Sequence, residues 1–455
     1  MRLFFLTYGA GYIKEQRKTT SLQEQGESLL NEYSRQIKKR LPDLPEVLSS
    51  VEDPRKRHDY SMEEILMGGL SMFMLKQGSR NSINNKRREE SFTSNYARHF
   101  RLRLPHQDTV ADVLSELDPD KLDSIKAHLM SEQFEQKWLR GYRLLNKYYM
   151  VAVDGTGVVS FDKPHCEHCL TKTSRKGKTT YFHYVLEAKL VTPDGYCLSL
   201  ASEWIENPNG EYRKQDCELK AFRRLSDKLK KYYPRLPICI VGDGLYANNT
   251  VFDICENNDW KYIIVLQDDQ LKCIQEEVDL IREKKPVEEK YEFKGDWRIT
   301  RQYRFHTGIK YKEHLLYWFS CNETKEKRIK SDTKNRQETS TFEYVSNLEP
   351  TKETVPEFCS NGRLRWKIEN EGFNTQKNGG YELEHKFFRN SYQGLKNYFT
   401  LLQIAHFINQ LVEKSAVVIM AMKMHSKETI RNIWINLIAY MIMFMPYNSL
   451  SNPPP

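Results

Sequence analysis

Between residues 61 and 140 apolar side chains recur every three or four positions, which predicts a series of helices. Ser61-Met-Glu-Glu makes a capped start with its acids placed for the helix dipole, and Leu66, Leu70 and Phe73 follow at helical spacing. Thr109 is expected to cap a helix carrying Val110, Val113, Leu114 and Leu117; Asp118 or Asp120 is expected to cap another carrying Leu122, Ile125 and Leu129. At Lys147 the period changes. Tyr148 to Val153 reads as a buried strand ending at Asp154-Gly155-Thr156-Gly157. Residues 179–191 and 196–204 read as a hairpin turned at Pro193-Asp194-Gly195. An amphipathic helix from Glu211 to Tyr232 follows, with Leu219, Phe222, Leu225 and Leu229 as its stripe. A second buried strand runs from Pro237 to Asp243-Gly244, and a third from Tyr262 to Leu266. From about 286 to 349 short alternating stretches, such as Trp297-Arg-Ile-Thr-Arg-Gln-Tyr, predict more strands. Helices resume near Glu357 and are expected through 363–377, 392–414 and 427–445.

This β-β-β-α-β-α-β order suits an α/β fold with a ribonuclease H-like core around a mixed sheet. Four segments are expected: a helical N-terminal domain at 1–145, the first part of the core at 146–267, a mainly β insertion at 268–351, and the second part of the core with C-terminal helices at 352–455. A chain of 455 residues has room for several such units.

Charge narrows the partners. The chain carries 70 Lys+Arg against 61 Asp+Glu, a net +9 that permits a polyanion without requiring one. Residues 268–351 balance, with 17 basic and 17 acidic side chains. The excess gathers locally: Arg80, Lys86, Arg87, Arg88, Arg98, Arg101 and Arg103 face only Glu89 and Glu90, and Lys172, Arg175, Lys176 and Lys178 meet no acid between Leu170 and Leu186. The first cluster, with Arg87 and Arg88 at its centre, makes the N-terminal domain the candidate DNA-binding region; the second is a basic loop suited to phosphates. A solvated helical face is the plainer account of the first. The apolar run Ile433–Met445 contains Asn436 and stops at Pro446, too short for a comfortable membrane span. The brief Leu3-Phe-Phe-Leu6 patch lacks a secretory layout, and nine cysteines without an export signal fit a reducing cytoplasm.

Two aspartates share a context. Asp154 and Asp243 each close an apolar strand and precede a glycine, which puts both at the carboxyl edge of the expected sheet. A third acid sits in Arg363-Leu-Arg-Trp-Lys-Ile-Glu369-Asn-Glu371, where Arg365 and Glu369 fall four apart on one helix face. Alone, each acid is as well explained by a turn or a solvated ion pair. Together, three converging carboxylates make an oxygen cage for two Mg²⁺ or Mn²⁺ ions, the arrangement that serves in-line phosphoryl transfer.

On these residues the chain resembles the DDE transposases of bacterial insertion sequences, in the group with a β-strand insertion between the second Asp and the Glu. The resemblance spans roughly residues 60–415. Its most specific stretch is Arg365-Trp-Lys-Ile-Glu369-Asn-Glu-Gly-Phe-Asn-Thr-Gln-Lys377-Asn-Gly-Gly with Leu383-Glu-His385, supported by Val151-Ala-Val-Asp154-Gly-Thr-Gly and Val241-Gly-Asp243-Gly-Leu-Tyr-Ala. The family pattern is Tyr, two residues, Arg, three residues, Glu, six residues, Lys. Arg365 and Glu369 match it; Gly362 stands at the Tyr position, and Gln376 at the Lys position with Lys377 one later. Glu371 remains a rival third acid. The resemblance implies cleavage of transposon-end DNA and attack of the freed 3′-hydroxyl on target DNA. Asp154, Asp243 and Glu369 would hold the metals, Arg365 and Lys377 would bind phosphate, and a homodimer would act on double-stranded DNA in the nucleoid. Alternatives are a ribonuclease H-like nuclease without strand transfer, or an inactive DNA-binding descendant.

A separate cluster, His165-Cys166-Glu167-His168-Cys169, has the Cys-x-x-Cys spacing of a zinc knuckle. Four ligands rarely fit in five residues, so the distant His183 joins Cys166, Cys169, His165 and His168 as a candidate zinc ligand. Two reduced thiols in a polar loop are the alternative.

Overall fold

The computed structural model describes residues 22–207, 216–267, 270–327, 336–424 and 429–444. The Leu3–Leu6 patch, the Glu211–Gln215 start of the expected amphipathic helix and residues 427–428 and 445 lie outside these. The chain forms two compact units, Lys137–Phe373 and Met1–Gln136 together with Asn374–Pro455.

The helical unit begins with α1 (22–40), α2 (Leu44–Ser49), α3 (Met62–Met74), α4 (Arg80–Arg87), α5 (Glu90–Phe100), α6 (Gln107–Glu116) and α7 (Pro119–Glu135). Ser61 and Glu64 cap α3 reciprocally: Ser61 Oγ accepts from Glu64 N at 3.2 Å, and Glu64 Oε2 accepts from Ser61 N at 3.0 Å. The cap of α6 is His106 rather than Thr109. Asn84 Oδ1 accepts from Gln107 N at 2.9 Å, so the helix starts two residues before Thr109. Asp118 caps α7, its Oδ1 accepting from Asp120 N at 3.1 Å.

The second unit is a mixed α/β assembly built on one ten-stranded sheet. In chain order it contains β1 (Tyr149–Phe161), β2 (Leu170–Thr173), β3 (Thr179–Val191), β4 (Cys197–Ile205), α8 (Glu218–Tyr232), β5 (Ile238–Gly242), α9 (Asn249–Asn257), β6 (Lys261–Val265), α10 (Lys272–Arg282), β7 (Glu288–Lys294), β8 (Trp297–Tyr311), β9 (His314–Lys327) and β10 (Arg336–Ser346). Across the sheet the order is β2-β3-β1-β5-β6-β10-β9-β8-β7, with β4 also paired to β3. β1, β5 and β6 run parallel, whereas β3 is antiparallel to both β1 and β4.

One expectation changes here. β1 does not end at Asp154: its parallel pairing with β5 stops at Ala152↔Val241, but its antiparallel pairing with β3 runs on to Phe161↔Tyr181. The strands of the expected mainly β insertion join the central sheet, where β10 pairs with β6 from Tyr344↔Val265 to Ser346↔Ile263.

After β10 come α11 (Val355–Gly362), a 3₁₀ turn (Arg363–Arg365) and a π-helical stretch (Ile368–Asn374). Leu364, Ile368 and Phe373 pack there against Met150, Ala152, Cys197 and Val241 in one apolar core. Gly362 explains its own presence: a Cβ there would lie 2.6 Å from the Tyr344 ring, so the aromatic ring fills the space that a side chain would need.

The chain then re-enters the helical unit through α12 (Thr375–Asn378), α13 (Tyr392–Glu413), α14 (Ala416–Met424) and α15 (Ile430–Met443). These C-terminal helices therefore group with the N-terminal ones and not with the sheet. Trp434 Nε1 donates to Met74 O at 2.8 Å, and Tyr33 Oη donates to Asn409 Oδ1 at 2.7 Å. α13 is buried along most of its length, and no single helix among the described residues is long and apolar enough to cross a membrane.

Candidate functional site

The parallel strands bring two carboxylates to one edge. Asp154 follows the last β1–β5 pair, and Asp243 follows β5 directly and caps a 3₁₀ turn, accepting from Leu245 N at 3.0 Å. Asp154 Oδ1 accepts from Gly155 N at 2.8 Å. Burial pushes the Asp154 carboxyl from the ordinary 3.8 to about 7. The Gly155 amide opposes this shift, Glu369 and Glu218 add to it, and Arg365 draws it back. Ionising Asp154 is therefore costly at this edge.

The π-helical stretch brings in the third acid. Arg365 Nη1 meets Glu369 Oε1 at 2.7 Å, and its guanidinium lies 4.0 Å from the Trp366 ring centre. The Arg365 Nε is buried and has no hydrogen-bond partner among the described residues. Glu371 is drawn elsewhere: it pairs with Lys367 at 2.5 Å and acts on Cys197 alongside Lys189. Of the two rival acids, Glu369 is the one that acts on Asp154.

Glu218, in the first turn of α8, is a member that sequence reasoning missed. Its Oε1 accepts from Tyr184 Oη at 3.0 Å and its Oε2 from Tyr246 Oη at 3.2 Å. Burial, then Glu218, Asp154 and Asp243, push both phenols upward, so they remain donors. Gly155 makes room for this pair, because a Cβ there would lie 2.4 Å from Tyr184 Cε1 and 2.9 Å from Glu218 Oε1. Glu187, the cross-strand partner of Asp154, is fully buried and is met by Lys189 Nζ at 3.1 Å. Among the described residues, Asp154, Asp243 and Glu369 do not close to within 4.8 Å of one another as a set.

The expected phosphate-binding residues divide. Lys377 lies on α12 in the helical unit and pairs with Glu384 at 2.8 Å; Gln376 is fully buried there and donates to Gln403 at 2.8 Å. In the N-terminal cluster, Arg87 Nε donates to Leu104 O at 2.8 Å, Arg103 pairs with Glu64 at 2.8 Å, and Arg98 pairs with Glu27 at 3.2 Å. Arg88 and Arg101 are exposed. Much of that cluster therefore works as internal structure. The basic loop is different: Lys172, Arg175 and Lys176 are exposed around the β2–β3 turn, whose Gly177 has φ +78°. Lys178 meets Asp162 at 2.8 Å.

The cysteine cluster converges only in part. Cys166, Cys169 and His183 come together, with Cys166 Sγ and Cys169 Sγ 3.6 Å apart. His165 stacks on Phe161 at 3.8 Å, and His168 lies 3.5 Å from Glu206, so neither joins the group. The chain matches no family model and none of the curated proteins with which it was compared.

Proposed function

We propose that this protein is a DNA transposase that cuts transposon ends and joins them to target DNA by metal-assisted phosphoryl transfer. The observation that carries the reading is Asp154. A largely buried carboxyl is pushed up to about 7 at the edge of a mixed sheet, with Glu369 and Glu218 as further negative neighbours. Such a group is costly when ionised and becomes favourable when a hard cation arrives. With the short β2 set aside, the order β1, β3, β4, α8, β5, α9, β6 supports a ribonuclease H-like core, as expected for this enzyme class.

Asp154, Asp243 and Glu369 would hold Mg²⁺ or Mn²⁺, and Glu218 lies close enough to Asp154 to raise the site's negative charge. When bound, the cations supply activation of water or a 3′-hydroxyl and stabilisation of the leaving oxygen. The protein's own contribution is positional. Tyr184 and Tyr246 fix the Glu218 carboxylate, and Arg365 both orients Glu369 and keeps a buried N–H available for a phosphate oxygen. The Lys172–Lys176 turn supplies exposed positive charge for the DNA backbone.

The test is Mn²⁺-dependent nicking of a plasmid carrying the cognate ends, compared between the parent and Asp154→Asn. Loss of nicking with end binding retained supports the reading. Undiminished nicking by the variant removes Asp154 from the chemistry.

A further inference from the structure

Cys166 and Cys169 bracket the turn entering β2, and His183 sits on β3. Cys169 and His183 are almost fully buried, at 0% and 2% exposure. Their ligand atoms form a tight triangle: the two sulfurs lie 3.6 Å apart, and His183 Nε2 lies 3.4 Å from Cys166 Sγ and 3.6 Å from Cys169 Sγ. A tetrahedral zinc with Zn–S of about 2.3 Å and Zn–N of about 2.0–2.1 Å has edges of about 3.8 Å between sulfurs and about 3.5 Å from sulfur to nitrogen. The observed triangle agrees to about 0.2 Å, the tolerance expected of a real site. Both thiols are free, and a bare thiol pair has no need of a buried imidazole nitrogen directed at both sulfurs.

We propose that Cys166, Cys169 and His183 bind one Zn²⁺, with water at the fourth corner, and that the ion staples the base of the β2–β3 hairpin. Two thiolates and an imidazole in tetrahedral disposition favour zinc over the hard cations of the carboxylate site. Among the described residues no fourth side chain of ligand type joins the three within 4.8 Å. The ligands sit beside the register pair Leu170↔Phe182, where the hairpin opens, so the ion ties its two strands together at the end opposite the exposed Lys172–Lys176 turn. Metal binding there is folding free energy for a segment whose β2 strand has only four residues. The value of this staple for DNA contact rests on the transposase reading; the metal site does not.

The experiment measures zinc by mass spectrometry in untagged protein purified without chelator. About one zinc per chain is expected, as for a single structural site. It should fall close to zero in Cys166→Ser, Cys169→Ser and His183→Ala and persist in His165→Ala and His168→Ala. Cobalt substitution should give a thiolate charge-transfer band and tetrahedral d–d bands in the parent, His165→Ala and His168→Ala, and in none of Cys166→Ser, Cys169→Ser and His183→Ala. Chelator treatment of the intact parent should speed tryptic cleavage at Arg175 and Lys176, with zinc add-back reversing it, which covers the case of a cysteine variant that does not fold. Zinc-free parent protein, full zinc in a Cys166→Ser/Cys169→Ser double variant, loss in His165→Ala, or hairpin cleavage indifferent to chelator would each overturn the proposal. Asp154→Asn should keep its zinc, so a failed transposase reading leaves this result untouched.

Discussion

Asp154→Asn should make the metal-free protein more stable while abolishing its response to divalent cations. The folded state holds this carboxyl at about 7 against an ordinary 3.8, a difference of about three units. At 1.36 kcal/mol per unit the ceiling is about 4 kcal/mol, and because the side chain keeps some contact with solvent about 2–4 kcal/mol is the working range. The folded pKa is raised, so the folded state binds this proton more tightly than the unfolded chain. Stability from the group is therefore complete below the unfolded value near 3.8 and is lost as pH rises through about 7. Asn removes the titration. In chelator, parent and variant should melt alike near pH 4 and diverge as pH rises, the variant melting roughly 5–10 °C higher at pH 8. Mn²⁺ at pH 8 should then raise the melting temperature of the parent and leave the variant unmoved. A variant no more stable than the parent at pH 8, or one stabilised equally by Mn²⁺, would refute the reasoning.

Three other outcomes follow from the same geometry. Glu369→Gln should lower Mn²⁺-dependent cleavage by at least ~100-fold, the scale for loss of a charge-stabilising group, whereas Glu371→Gln should stay near the parent; the reverse ranking in a nicking assay would transfer the role to Glu371. Replacing Lys172, Arg175 and Lys176 by Ala should flatten the salt dependence of DNA binding, with the slope of log K against log salt falling by roughly 2–3; an unchanged slope would remove the turn from the interface. Arg87→Ala should cost about 1–2 kcal/mol in urea unfolding, through the lost bond to the Leu104 carbonyl, with DNA affinity retained, whereas Arg88→Glu should weaken DNA binding at little cost in stability.

The sequence locates Asp154 and Asp243 because an apolar run followed by Asp-Gly marks where a buried strand meets solvent. It misplaces the end of β1, since side-chain polarity changes at Asp154 while the backbone ladder with β3 continues to Phe161. Hydrogen bonding between strands does not depend on that polarity. Glu218 is hidden for a different reason: a first-turn acid on an amphipathic helix looks like any dipole-compensating residue. Only the fold brings the Tyr184 and Tyr246 hydroxyls to it. The apolar faces of α13 announce burial but not the partner, so its grouping with α3, α6 and α7 is a long-range fact absent from local pattern. The Cys166/Cys169 pair is legible from its spacing, and His183 could be named only as one distant candidate. What selects it over His165 and His168 is its position on β3, next to the pair Leu170↔Phe182.

The central claim is tested most directly by strand transfer. Purified protein, pre-cleaved end DNA and a target plasmid are incubated with Mn²⁺, and joined product is measured for the parent, Asp154→Asn and Glu369→Gln. Joined product from the parent alone, with all three proteins binding the ends, is the predicted result. Nicking without joined product would make the protein a nuclease, and joining by either variant would contradict the carboxylate site itself.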